Sequence, residues 1–257
     1  MVNYILIYWG KKDIEMYKLD LNKKGNQINS VDDWYKAAPP QNPSLHWKDG
    51  RSAKELAKYM ISGNGYIPAE IENILVQLGC NPNIIFYGEP EAVTSLEGRG
   101  GGRHHDLLLV QENEVVVGVE AKSDEDFGEV VHKELFGNND YNELLDSVSD
   151  NKLKRVNGLY NDIYWFDFYK NLDLRYQLLT ATGGILKEAQ KANTSKAILL
   201  VLTLKKKGCY SEKKVEANLQ DLKNYVASLG TPSKDGHYNL PGYPDIDFYV
   251  KHIEIDV

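Results

Sequence analysis

Cysteine is scarce in this chain. Cys80 and Cys209 lie far apart in unrelated contexts, which argues against a disulfide framework or a zinc cluster and fits reduced thiols, with one disulfide left open. Long apolar runs are missing as well. No stretch reaches the roughly eighteen residues of a membrane span, and the start MVNYILIYWGKKD is too short and too aromatic for a secretory signal. A cytoplasmic protein with no membrane partner is expected. Positive charge is in deficit: 30 Lys and Arg face 37 Asp and Glu, for a net charge of −7, which argues against indiscriminate binding to nucleic acid. Internal repeats and low-complexity tracts are also missing, which excludes a solenoid.

What is present suffices for a large core, since 42% of the 257 residues are hydrophobic. A single domain spanning 1–257 is the expectation, with residues 1–50 as a β-rich and loop extension packed on it. The runs YILIYW and MYKLDL suggest an N-terminal hairpin or two edge strands, and the Pro-rich stretch 37–51 reads as a loop. Ser52 and Glu55 fit a capping box at the start of a helix, and Pro68 and Gly79 bracket a second. IIFYG (84–88) reads as a strand, and HDLLLVQENEVVVGVEAK (105–122) as two strands around a polar turn. LRYQLLTATGGILKEAQKA (174–192) has helical apolar spacing, and Gly183-Gly184 within it implies close packing against another backbone. AILLVLTL comes next as a buried strand, then VEANLQDLKNYVASLG as an amphipathic helix ending at Gly230, and FYVKHIEIDV as a final strand. The fold class is therefore α/β (α+β), a mixed central sheet flanked by helices.

Four acid-x-Lys patterns occur: Glu120/Lys122, Asp150/Lys152, Glu212/Lys214 and Asp221/Lys223. Only the first ends an apolar strand and faces another acid across a hairpin. If Glu112, Asn113 and Glu114 form a three-residue loop, Gln111 pairs with Val115 and Asp106 falls opposite Glu120. Lys122 shares the face of Glu120, because strand side chains repeat every two residues. Two opposed carboxylates repel unless something positive sits between them, and oxygen ligands at that spacing suit Mg²⁺ or Mn²⁺. The cation would polarise a phosphate while Lys122 orients or stabilises the attacking hydroxide, making phosphodiester hydrolysis the expected reaction. A structural ion cluster at a strand end stays open as the bland alternative.

Asp106, thirteen intervening residues and then Glu120-Ala121-Lys122 resemble the signature of the PD-(D/E)XK nuclease superfamily, whose members include restriction-endonuclease-like and RecB-like nucleases. His105 departs from the usual Pro. LHWKDGRSA (45–53), GYIPAEIENIL (65–75), VEAKSDEDFG (119–128) and LRYQLL (174–179) together are similar to a bacterial group within that superfamily. The resemblance implies a restriction-endonuclease-like core. It implies Asp106, Glu120 and the Ala121 carbonyl as Mg²⁺ or Mn²⁺ ligands, with Glu70 as a weaker candidate on a preceding helix. It also implies Gln177 as the helical Gln that RecB-like members place beside the site. Asp106, Glu120, Lys122 and Gln177 are then the catalytic set. Asp124 and Glu125 suit capping of the segment after the strand. GRGGGRHH (98–105) lacks the residues of a P-loop and precedes a strand. It could place Arg99 and Arg103 on substrate phosphates, with Arg175 a further candidate. His104 and His105 flank the site without ligating metal.

The leading expectation is a metal-dependent nuclease with nucleic acid, DNA first, as partner. A homodimer is compatible with the sequence. The alternatives are a catalytically silent nuclease-fold module that binds nucleic acid or regulates, and a metal-dependent nucleotide hydrolase, which suits the acidic balance.

Overall fold

Two apolar stretches become the two most buried strands. VVVGVEAK forms β5 (Val115–Lys122), buried at every position, and KAILLVLTLK forms β6 (Lys196–Lys205), buried at all but its ends. They run parallel, from Val116 beside Ala197 to Lys122 beside Thr203. Strands covered on both faces read as continuous hydrophobic runs for this reason.

A computed structural model describes residues 16–98, 101–137, 150–164 and 171–257. The described residues build an eight-stranded mixed sheet flanked by helices. In chain order the elements before β5 are β1 (Leu19–Lys23), β2 (Asn26–Gln27), α1 (Val31–Ala37), α2 (Pro43–His46), α3 (Ser52–Ser62), α4 (Ala69–Gln77), β3 (Phe86–Thr94) and β4 (Arg103–Gln111). Between β5 and β6 lie α5 (Val131–Phe136), α6 (Asp150–Ile163) and α7 (Tyr176–Lys191). After β6 come α8 (Glu212–Ser228), β7 (Tyr238–Asn239) and β8 (Asp247–Asp256). The sheet order is β2-β1-β3-β4-β5-β6-β8-β7, with β3-β4-β5 antiparallel and β5-β6-β8 parallel.

Two cores result. Leu107, Leu109, Val117 and Val119 face α3 and α4 through Leu56, Ile71 and Leu75. Leu108, Val116 and Leu199 face α6, α7 and α8 through Leu159, Ile185 and Tyr225. The glycines of α7 let that helix lie close. A Cβ on Gly118 of β5 would stand 2.3 Å from Ile185, and one on Gly184 would stand 2.7 Å from the His105 ring. One on Gly183 would meet Leu159 at 2.4 Å, so this glycine pair receives side chains and not a neighbouring backbone.

Several local expectations shift. The YILIYW half of the anticipated N-terminal hairpin lies outside the described residues. Its MYKLDL half supplies β1, which pairs parallel to β3 inside the sheet. Helices α1 and α2 occupy stretches expected to be strand or loop, and α1 is capped by the Ser30 side chain on the Asp33 amide. The capping box at α3 is also different: Glu55 accepts from the Gly50 amide at 2.7 Å, and Ser52 lies one residue inside the helix. Gly50 turns there with φ +80, which brings its amide to the carboxylate.

The close contact of α7 with β5 yields a stability prediction. Gly118→Ala should destabilise the protein by about 1–3 kcal/mol through overpacking against Ile185. Urea denaturation measures this, and an unchanged midpoint would show that α7 can move outward freely.

Candidate functional site

The hairpin β4-β5 closes on Glu112, Asn113 and Glu114, with Asn113 at φ +60, and Gln111 pairs with Val115. That register runs to Leu107 beside Val119 and stops. Beyond it β4 changes face: Leu107 and Leu109 lie in the α3/α4 core, whereas the His105 ring lies against Gly184 of α7. In an unbroken strand residues 105, 107 and 109 would share a face. β3 makes the same change, since Phe86 joins the α3/α4 core and Ala92 the α7 core. Pro90 pairs with Leu107 and Ala92 with His105, so both strands turn at the facing positions Glu91 and Asp106. Glu91 has φ +50, a left-handed conformation that a glutamate adopts only at a cost.

The turn removes Asp106 from the sheet face it was expected to share with Glu120. Its Oδ2 instead accepts the Ala121 amide at 2.7 Å, between the two strands. Residue N–H and C=O groups of an extended strand point to the same edge, so the Ala121 carbonyl also lies on the Asp106 side. Glu120 is fully buried. It is clasped by the Arg103 guanidinium, and its Oε1 lies 2.9 Å from Lys122 Nζ without a directed hydrogen bond. Lys122 Nζ donates to Gln177 Oε1 at 3.1 Å and stands 5.3 Å from the Phe127 ring centre. The structure thus brings Asp106, Glu120, Lys122 and Gln177 together, with Arg103 added.

Electrostatics separate the two acids. Burial and then the Glu120 charge push the Asp106 carboxyl up to about 7, against the pull of Lys122 and Arg103. Burial also opposes the charged form of Glu120, but Arg103 and Lys122 outweigh it and hold this carboxyl below its usual range. Lys122 is raised, because Glu120 and Asp106 outweigh its burial. At neutral pH it is an ammonium.

His105, in the place of the usual Pro, is a buried anchor. Burial and the nearby Arg103 lower its pKa to about 3, so it is neutral. Thr94 Oγ1 donates to Glu188 Oε1 at 3.0 Å and lies 3.1 Å from His105 Nε2. The single hydroxyl proton goes to Glu188, so Nε2 carries the ring proton. This chain ties β3, β4 and α7 together beside the turn. Asp106, Lys122 and Gln177 open into a cleft of about 1100 Å³, shared with Glu91, Glu125 and Glu188.

The remaining candidates lie elsewhere or are engaged. Glu70 accepts from the Tyr59 hydroxyl at 2.9 Å on α4, which packs on the opposite face of the sheet. Arg175 is held by Asp221 at 2.7 Å and by the Gly128 carbonyl at 2.5 Å, so it pins the start of α7 to α8 and to the loop after β5. Arg103 is occupied with Glu120, and Arg99 lies outside the described residues. Asp124 caps the Ser211 amide at the start of α8, and Glu125 accepts from Ser123, Asp124 and Ser52 amides. His104 is exposed and lies 3.5 Å from Glu91. Glu91, Thr94 and Glu188 were not anticipated. Pro90 inside a strand was a local sign of irregularity, while no local signal links Thr94 to Glu188.

Among the described residues, no group of three or more His, Cys, Asp or Glu could hold a metal ion. No described helix is long and apolar enough to cross a membrane. The chain belongs to the family described as Domain of unknown function (DUF6946), which it matches over residues 27–256. Comparison with curated proteins and with solved structures yields no match.

The pKa of Asp106 has a signed consequence. A folded value raised from 3.8 to about 7 favours folding at low pH, and that contribution is lost as pH rises through 7. Asp106→Asn, which keeps an acceptor for the Ala121 amide, should therefore gain stability over the wild type on going from pH 5 to pH 8. Urea titrations at the two pH values test this, and a constant difference would refute the shift.

Proposed function

We propose that this DUF6946 member is a Mg²⁺-dependent phosphodiesterase acting on DNA, with its site at the parting of β4 and β5. The observation that carries the reading is the convergence of the Asp106 carboxylate, the Ala121 backbone, Glu120, Lys122 and Gln177 beside one cleft. The resemblance to PD-(D/E)XK nucleases supports it, as does a mixed sheet in which E-x-K ends a central strand. The other three acid-x-Lys pairs fall on α6 and α8, with no facing acid strand.

The donors fit a hard divalent cation. Asp106 and Glu120 offer carboxylate oxygens and Ala121 a carbonyl, and Mg²⁺ needs only one or two carboxylates because it retains waters. Asp106, lifted by burial and by Glu120, is a carboxyl that a cation would return to its charged form. A bound Mg²⁺ would supply polarisation of the phosphate and acidification of water.

The chain's own groups do the rest. Lys122 is held by Gln177 and Glu120 in its ammonium form, so it suits orienting a water and stabilising charge on the phosphate better than removing a proton. Glu120 fixes Lys122, and the Phe127 ring lies against the same ammonium. Burial of Glu120 and Lys122 keeps bulk water from screening these charges. A second reading has one observation behind it. The Arg103 clasp neutralises Glu120 without any metal, which would suit a nuclease-fold module that binds without turnover.

Cleavage assays separate the two readings. With plasmid, single-stranded DNA and RNA in Mg²⁺, Mn²⁺ or EDTA, DNA cleavage should require the cation. Asp106→Asn, and Glu120→Gln and Lys122→Met proteins that fold as the wild type does, should each reduce it by about 10²–10³-fold. Cation-independent cleavage, or none on any substrate, would overturn the proposal.

A further inference from the structure

Beside the cleft lies a second cavity of about 440 Å³, between β4, α6 and the start of α7. It shares His104, Gly128 and Gln177 with the cleft, so the two adjoin. Two arginines line it from opposite elements, Arg103 on β4 and Arg155 on α6. Each carries a buried guanidinium nitrogen with no hydrogen-bond partner, Nε of Arg103 and one Nη of Arg155. The Arg103 side chain is only 10% exposed. A buried donor without a partner is costly, and more so on a charged group. The two arginines therefore give the cavity positive charge on opposite walls, with guanidinium donors to spare.

The surroundings suit an anion as the occupant. Arg103 commits an Nη to Glu120, and Arg155 donates through Nε to the Glu97 carbonyl at 3.1 Å and also bonds the Tyr176 hydroxyl, so each guanidinium is anchored with donor capacity left over. The acids on the cavity wall are already matched: Glu129 pairs with Lys133 at 3.4 Å, and Glu134 with Lys152 at 3.5 Å. Tyr176 and Gln177, at the N-terminal turn of the sixteen-residue α7, also line the cavity, where the helix dipole favours negative charge. Guanidinium donors combined with a helix N-terminus match the oxygens of a phosphate.

We propose that this cavity binds a second, non-scissile phosphate of the substrate strand. Arg103 then serves two ends of one guanidinium, holding Glu120 with one nitrogen and the neighbouring phosphate with another. The inference rests on the phosphodiesterase reading for the identity of the ligand as nucleic acid. Its geometry involves one residue, Arg155, that has no part in the hydrolytic site.

The test is calorimetric titration of full-length protein in EDTA, where cleavage is off, with tetrathymidylate bearing either a 5′-phosphate or a 5′-hydroxyl. Arg155→Gln should weaken binding about tenfold and reduce the slope of log K against log salt by roughly 0.7. Arg155→Lys should fall between, and Lys154→Gln, an exposed neighbour on the same helix, should match the wild type. A loss confined to the 5′-phosphorylated strand assigns the cavity to a terminal phosphate, and an equal loss for both assigns it to an internal one. Either result supports the proposal. Wild-type-like binding by a folded Arg155→Gln protein, an equal loss in Lys154→Gln, or no binding by the wild type overturns it. Cleavage with an unaffected Arg155→Gln removes this subsite alone. Arg155-dependent binding without cleavage removes the hydrolytic reading alone.

Discussion

The parting of β4 from β5 at Asp106 determines the geometry at the cleft. Up to Leu107 and Val119 the two strands form an ordinary antiparallel ladder inside a covered sheet. One residue further, β4 turns over, and the amide of Ala121 is left for the Asp106 side chain to satisfy. A buried amide without an acceptor is costly, so the carboxylate is fixed in the gap by the same requirement that holds any ladder together. The turn therefore converts a structural vacancy into a positioned acid. It also brings Arg103 around to the face on which Glu120 lies. The left-handed Glu91 is the counterpart in β3, the strain that lets the two strands turn in step.

Helix α7 makes that turn tolerable. It contributes Gln177 to Lys122 at its first turn, the Gly184 recess for His105 in its middle, and Glu188 to Thr94 nearer its end. One rigid element thus contacts β5, β4 and β3 in succession. Its approach depends on glycine on both sides of the interface, since Gly118 and Gly184 leave room for Ile185 and His105 respectively. The free energy that two glycines cost a helix interior is offset by the buried Leu178, Leu179, Ile185 and Leu186 on the same helix.

Periodicity and run length made the strands and long helices legible. β5, β6, α7 and α8 fall within a few residues of where the apolar spacing puts them. The three-residue loop was a condition and not a reading, since the LLLV and VVV runs are apolar on both faces and leave the register open; the hairpin meets it, with Gln111 beside Val115. The face change was not readable: Asp106 sits in HHDLLLV, a run that looks regular, and its turn depends on β3, which pairs from a distance in sequence. Arg103 looked like a free phosphate ligand in a glycine-rich loop, whereas the folded chain commits one end of it to Glu120. Helix α1 was hidden because its signal, Ser30 capping Asp33, lies in a polar segment with a single buried anchor, Trp34. Long-range side-chain pairings such as Thr94 with Glu188 leave no local trace at all.

The charges around Glu120 constrain how the site can be disarmed. Arg103 and Lys122 are both buried against Glu120, so deleting that acid leaves two cations short of a partner in a dry interior. A Glu120 knock-out thus reports on folding as well as chemistry. Asp106 differs, because burial and the Glu120 charge already favour the protonated form of its carboxyl and its one described bond comes from a backbone amide. The carboxamide analogue at that position resembles a state the native protein visits anyway. Under the proposed hydrolytic reading, a form that binds without cleaving is therefore best made at Asp106, where removing the charge perturbs the scaffold least.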